Sequence, residues 1–415
     1  MYLFSAMRLK EMLRSVAAGS ISFVTSLVFA GPLSAENKSF IRSQYTPAIL
    51  SIGFSDSEYV SAEQDSDYIA LQLSLITSDD EPIGKNIRVP RESFLADLKS
   101  LYRQIARQDF LKEDVKNSPS RRLYDVFVRP ISDDLNRQNI SSILLALDPG
   151  LQAIPFSALH DGDRFFGDRY AIALTPSLRF TSLGPPSDAK GDVLAAGSSQ
   201  FQYLAPLPLV PSELDGSGPV GSTNQFLDSS FGPDVLLQKA GDPRYSRVHI
   251  ATHAEFKPGG PSQAVIHTRD KTVPLSSFSL LRPQRSSSPL DLFVLSACRT
   301  ALGDPKSELG FAGLALQAGA RSAMGSLWYV DDIATTALYL QFYRYLEQGI
   351  PKSESLQLAR RAMITDAIKV QGDNLIAADG SLLIQNLSFA QKQVLRNGLS
   401  HPYYWSGVIL VGSPW

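Results

Sequence analysis

One cysteine, Cys298, occurs in 415 residues. An internal disulfide is therefore excluded, and a cysteine-rich structural zinc site goes with it. Charge of one sign is equally scarce. The 39 basic and 41 acidic side chains leave a formal net charge of −2, so there is no electrostatic footprint for nucleic acid and no basic run for an anionic membrane surface. The five histidines show no clustered spacing with cysteine or aspartate that would hold a metal, and no cofactor is called for. A G-x-S-x-G elbow and a Walker loop are both missing, which removes elbow-type serine hydrolases and P-loop enzymes from the field. Helical-hairpin repeats at a period of about 34 residues are not visible, so a solenoid is not expected.

What is present begins with an unusual leader. Arg8, Lys10 and Arg14 precede the uncharged stretch Val16–Ala30, and small residues follow in VFAGPLSAEN. This is the tripartite layout of a secretory signal peptide over residues 1–35, with cleavage expected after Ala30 or Ala35. The apolar stretch is shorter than the ~20 residues of a spanning helix. The expectation is an exported protein, periplasmic or extracellular, with no membrane attachment once the leader is gone. An exported lone thiol is then buried, reactive or paired with another chain.

Behind the leader, residues 36–120 read as an N-terminal extension and 121–415 as the main domain. Ala48–Gly53 and Tyr68–Ile76 have the β-branched and aromatic content of strands, and Pro90 opens a helix over Arg91–Arg107. Leu123–Gln138 reads as a helix interrupted at Pro130. The spacing predicts strands at Ile143–Leu147, Asp192–Ala196, Val248–Thr252, Ala264–Thr268, Leu292–Ala297, Ala320–Trp328 and Gly407–Val411. Helices are expected at Glu308–Ala318, Asp331–Gln348 with Gly349 as its stop, and Ser353–Val370. Strands alternating with helices imply an α/β fold, a mainly parallel central sheet between two helical layers.

Two of these strands carry the chemistry. YSRVHIATHAEF delivers His253 at its carboxyl end, and LDLFVLSACRT delivers Cys298 at its own. In an open α/β sheet, reactions gather just beyond the carboxyl ends of the strands. If these two lie parallel and adjacent, thiol and imidazole face each other there. A thiol with its usual pKa near 8.5 is mostly protonated at neutral pH, and an imidazole can take its proton and later return it to a leaving amine. The backbone amides of Cys298 and Ala254 are placed to stabilise an oxyanion. His249, deep in the same strand, reads as a satisfied core histidine.

The strings VHIATHAEF, DLFVLSACRTALGD, SELGFAGLALQAGARSAMGSLWYVDDIATTALYLQFYRYLEQG and HPYYWSGVILVG resemble the CHAT domain, a caspase-like family related to separase and caspase peptidases. LDPGLQAIPFSALHDGDRFFGDRYAIALTPSL resembles the entry segment of that family. The resemblance covers roughly residues 120–415. It implies a caspase-like three-layer fold and a cysteine endopeptidase acting on a protein or peptide substrate, with His253 and Cys298 as the dyad. Ala254 departs from the family's frequent glycine and Arg299 from its frequent Glu or Gln. Helical repeats that usually accompany the domain are not seen, which implies that the usual partner-sensing module is either missing or supplied by a separate repeat-containing regulatory partner.

Specificity is less determined. Asp304, Glu308, Asp331 and Asp332 follow the cysteine strand or the next one, and an acidic pocket there would favour a basic residue before the scissile bond. Asp331 and Asp332 read equally as capping residues of the helix they open. Pro/Gly/Ser-rich loops at Gly184–Gly191, Asp215–Asn224, Lys257–Ser262 and Arg282–Pro289 are candidates for pocket walls, the last also for proteolytic processing at Arg282–Arg285. Two further readings stay open: a binding or scaffold protein on the same fold, and an acyl hydrolase acting on a non-peptide substrate.

Overall fold

Alternation of apolar residues drives the first strands. In β1 (Pro47–Phe54) and β2 (Tyr68–Ile76) the residues buried on one face alternate with less buried ones, the period-2 signature of a strand with one face on a core. The structure, a computed structural model, describes residues 46–55, 67–77, 81–109, 118–178, 181, 191–219, 221–256, 264–286, 288–297, 313, 315–316, 318–328 and 331–415. The expected leader at 1–35 lies outside them.

The chain divides into two units, residues 1–178 with 183–185, and 179–182 with 186–415. In the first, β2 pairs antiparallel with β1 and with the polar edge strand β3 (Ile83–Pro90). Helix α1 (Arg91–Arg107) buries Phe94, Leu98, Leu101, Tyr102 and Ile105, the stripe expected of an amphipathic helix. Helix α2 (Pro119–Phe127) starts where Ser118 accepts a hydrogen bond from the Arg121 amide. It is followed by a 3-10 turn at Arg129–Ile131 and a short helix at Ser132–Arg137, so the interruption at Pro130 is real. The apolar strands β4 (Ser142–Leu147) and β5 (Ala171–Thr175) complete the order β3-β2-β1-β4-β5, with β1, β4 and β5 mutually parallel.

In the second unit, β6 (Asp192–Gly197) leads through helix α3 (Val210–Asp215) to the edge strand β7 (Thr223–Leu227), and β8 (Tyr245–Ala251) follows. Strands β9 (Ala254–Phe256), β10 (Ala264–His267) and β11 (Thr272–Pro274) form a separate antiparallel sheet. β12 (Leu292–Ser296) and β13 (Ser322–Ser326) return to the main sheet, where β7, β6, β8, β12 and β13 run parallel. Helices α4 (Asp332–Glu347) and α5 (Lys352–Ile364) come next. A small antiparallel sheet of β14 (Lys369–Gln371), β15 (Asn374–Ile376) and β16 (Leu382–Ile384) precedes β17 (Val408–Gly412), which pairs antiparallel with β13.

The unit has three layers. On one face His249 of β8 meets Tyr343 of α4 and Glu213 of α3. The preceding residue, Val248, is paired with Phe293 of β12, which points the other way onto Phe278 of the turn Leu275–Leu280, ring centroids 5.4 Å apart. The expected α/β class and mainly parallel sheet are therefore observed.

Several expectations are corrected. Ala264–Thr268 is a strand, but it belongs to the antiparallel sheet after His253 and not to the parallel one. The helix expected over Ser353–Val370 stops at Ile364. Asp366 adopts φ 52°, and the amides of Ala367 and Ile368 fold back onto the Ala362 carbonyl, a left-handed stop achieved without glycine. Most of the helix expected at Glu308–Ala318 lies outside the described residues. The processing site is also disfavoured, because Leu281–Gln284 is a helical turn and Arg285 is buried. Its Nε and Nη2 donate to the Ala240 carbonyl at 3.0 and 2.7 Å and its Nη1 to the Tyr245 carbonyl at 2.8 Å. Gly349, with φ +81°, does end α4.

Candidate active site

Strands β8 and β12 are parallel neighbours in register, with Ala251 opposite Ser296, and the Thr252 amide extends the ladder by donating to the Ser296 carbonyl at 3.1 Å. Two residues beyond Ala251 stands His253. Two residues beyond Ser296 in the sequence comes Cys298, which lies outside the described residues. The two are as far apart along the chain as the ladder partners Ala251 and Ser296. Among the described residues, the two strands thus run level as far as Ala251 and Ser296.

The His253 ring is held from the loop that follows β6. Its Nε2 lies 2.8 Å from the Ala205 carbonyl oxygen. A carbonyl can only accept, so Nε2 carries the proton and Nδ1 is the basic nitrogen of the neutral ring. Phe201 packs on the same ring, centroids 4.7 Å apart and planes at 53°. The loop is tied at its root, where the Leu207 amide donates to the Ser199 carbonyl at 2.8 Å and the Ser198 amide to the Ala251 carbonyl at 3.1 Å. The Asp228 carboxylate accepts from the amides of Ser199 and Gln200 at 2.7 and 3.2 Å. Asp228 does this from a left-handed backbone, φ 53°, a conformation of the kind surrounding structure must enforce.

Ala254 opens β9 opposite Ile266. The His267 amide bonds to the His253 carbonyl at 2.9 Å. Bonded and non-bonded pairs alternate in an antiparallel ladder, so Ala254–Ile266 is a non-bonded pair and the Ala254 amide is directed away from β10. An amide so directed is suited to an oxyanion.

A buried polar cluster lies beneath. His249 is fully buried, its Nδ1 2.8 Å from the Tyr343 hydroxyl and its Nε2 3.0 Å from Glu213, whose other oxygen accepts from the Thr336 hydroxyl at 3.2 Å. As its place in the strand implied, His249 is a satisfied core residue. At the start of α4, Asp331 is the N-cap and accepts from the Ala334 amide at 3.1 Å. Asp332 faces inward. Burial, then the charges of Glu213 and Asp331, push its carboxyl up to about 7, although it accepts from the Leu209 amide. Burial raises Asp331 as well. The capping reading of Asp331 is thus the one the geometry favours, and Asp332 is only partly ionised at neutral pH. Asp304 and Glu308 lie outside the described residues. His401 caps the turn Pro402–Trp405, its Nδ1 accepting from the Tyr403 amide at 3.1 Å.

Sequence reasoning missed Ala205, Phe201, Glu213 and Asp228. The one signal pointing to the first two was position: their loop leaves the carboxyl end of a strand, and β6 proves to be the neighbour of β8. Among the described residues no group of His, Cys, Asp and Glu side chains converges as if to hold a metal, and no helix is long and apolar enough to cross a membrane.

The CHAT domain family model matches residues 117–413. No curated protein matches the chain. Among solved structures, the separase–securin complex of Saccharomyces cerevisiae is similar at 11% identity and a TM-score of 0.50, over 97% of this chain and 33% of the matched one. This chain thus spans about a third of that protein, and the likeness shows a shared fold. The Arg specific cysteine proteinase gingipain R is 11% identical with a TM-score of 0.38, over 70% of this chain and 68% of its own. The pro- and mature domains of RgpB from Porphyromonas gingivalis give 10% and 0.39, over 73% and 70%.

Proposed function

We propose that this chain, which belongs to the CHAT domain family, is a cysteine endopeptidase whose nucleophile is Cys298 and whose general base and acid is His253. The observation that carries the reading is the in-register pairing of β8 with β12, which ends the two dyad-bearing strands level. The bond from His253 Nε2 to the Ala205 carbonyl supports it, since it leaves Nδ1 as the nitrogen that takes the thiol proton.

In this mechanism Nδ1 accepts the Cys298 proton and the thiolate attacks the scissile carbonyl. The developing oxyanion is met by the amides of Ala254 and Cys298. As the tetrahedral intermediate collapses, Nδ1–H passes its proton to the leaving amine and an acyl-thioester remains. A water then gives a proton to Nδ1 and attacks the thioester, which releases the acid and restores the thiol. The Ala205 carbonyl stabilises the imidazolium formed in each half and keeps the ring from turning.

Asp304 and Glu308 are the carboxylates proposed to favour a basic residue before the scissile bond. Asp332 is a weaker candidate because its charge is incomplete at neutral pH, and Asp331 is occupied as a cap. Residues 1–35 are proposed as a secretory leader, and a separate repeat-containing protein as a regulatory partner. N-terminal sequencing of the native protein tests the leader, and a start at Met1 would remove the export proposal.

The primary test incubates the purified protein and its Cys298→Ala variant with an arginine- and lysine-containing peptide library. Cleavage by the parent alone supports the peptidase. Equal silence from both, with a Cys298 thiol that resists alkylation until unfolding, supports a scaffold role instead.

A further inference from the structure

The loop that holds His253 exposes apolar side chains that nothing in the fold requires to be exposed. Tyr203 is 88% and Leu204 36% accessible, only a few residues from Phe201, which packs on the His253 ring, and Ala205, whose carbonyl bonds to it. Large exposed apolar side chains on a soluble surface are informative when they sit together beside a reactive group. This loop is also well tied. Its neck is closed by Leu207 onto Ser199, its entry by the Asp228 carboxylate, and its exit by α3, whose Glu213 is bonded to His249 and Thr336. The tip is thus presented on a rigid support, which limits the ordering cost of binding.

We infer that Tyr203 and Leu204 form a specificity subsite beside His253 that takes an aliphatic or aromatic side chain of the peptide substrate. The inference rests on the proposed peptidase reading for the identity of its ligand. Its chemistry comes from the surface itself. Neither side chain carries charge, no carboxylate or cation of the loop tip (Gln200–Pro206) stands beside them, and the phenol supplies a flat apolar face with a polar edge. The subsite selects for apolar area and is separate from the acidic preference proposed for Asp304 and Glu308. A substrate of this protein would then carry a basic residue and a neighbouring apolar one.

The test separates recognition from turnover. The full-length Cys298→Ala variant is immobilised and challenged with a pool of random octapeptides, and the retained peptides are sequenced. The same is done with Cys298→Ala carrying Tyr203→Ser and Leu204→Ser, exposed changes whose folding is checked by thermal melting. Leu, Ile, Phe and Tyr should be enriched by about tenfold in the first and not in the second, the scale of discrimination an apolar pocket provides. No apolar enrichment in the first, or equal enrichment in both, overturns the subsite. Absence of hydrolysis by the parent enzyme would instead remove the peptidase reading and leave this binding result to be scored alone.

Discussion

Replacing Asp332 by asparagine should make the protein more stable, and increasingly so as pH rises. The side chain opens α4 beneath the candidate site, accepts a hydrogen bond from the Leu209 amide, and shares its surroundings with Glu213 and Asp331. Burial and those two charges place its folded pKa at about 7, whereas an unfolded aspartate titrates near 3.9. The folded state therefore favours the protonated acid. Its contribution is fully present below about pH 4 and is lost as pH rises through about 7. Three units correspond to a ceiling of about 4 kcal/mol, reduced to about 2 kcal/mol because solvent reaches the half-buried residue. Asparagine keeps an acceptor for the Leu209 amide and carries no charge at any pH. Urea unfolding followed by tryptophan fluorescence at pH 4, 6 and 8 should show the variant level with the parent at the lowest pH and ahead by about 2 kcal/mol at the highest. A gap that stays constant across the three would refute the account of Asp332 and its neighbours. Glu213→Gln should shift the parent's stability transition to lower pH, because it removes one of the charges holding Asp332 up.

Glu213→Ala leaves the His249 ring and the Thr336 hydroxyl without their buried partner, and equilibrium unfolding should register a loss of about 3–5 kcal/mol. A Cβ at Gly197 would press on the Ala251 carbonyl and on Val210. Gly197→Ala should therefore cost about 1–3 kcal/mol by overpacking and lower peptide hydrolysis disproportionately, read as kcat/KM beside the melting temperature. Arg285→Met removes the donors to the Ala240 and Tyr245 carbonyls, and thermal melting should report about 2–4 kcal/mol of lost stability. Asp331→Ala should cost about 1 kcal/mol as a lost helix cap while leaving cleavage preference in a peptide library as in the parent. Asp304→Asn should weaken the preference for arginine, and an unchanged profile there would remove the acidic pocket.

Strands β8 and β12 were legible because each holds a short, mostly apolar run followed by a chemically distinctive residue, the pattern of a strand buried on both faces. The cap at Asp331 and the stop at Gly349 were legible for a local reason too, since capping depends on residues a turn apart. What escaped depends on partners far along the chain. β3 carries Lys85 and Arg88 on an exposed edge, and β7 reads TNQFL, so neither has the apolar period that marks a strand. The end of α5 was missed because Asp366, not glycine, adopts the left-handed turn. Glu213 looks like a surface residue of a short helix until the fold brings His249 and Thr336 to it, and the unusual acidity of Asp332 exists only through that encounter.

The acceptor that holds His253 is a peptide oxygen, and this has a consequence for how the site can vary. No side chain encodes it, so the residue at position 205 is free to drift so long as the loop keeps its path. Point substitution cannot delete the contact; it can only displace the backbone that offers it. Replacement of the Ala205 carbonyl oxygen by sulfur, a weaker hydrogen-bond acceptor, alters no side chain and is the chemical change that addresses it directly. The neighbouring residues Tyr203 and Leu204 share the segment but make no such backbone contact to the ring, so within one loop the part that orients His253 and the exposed tip can evolve at different rates.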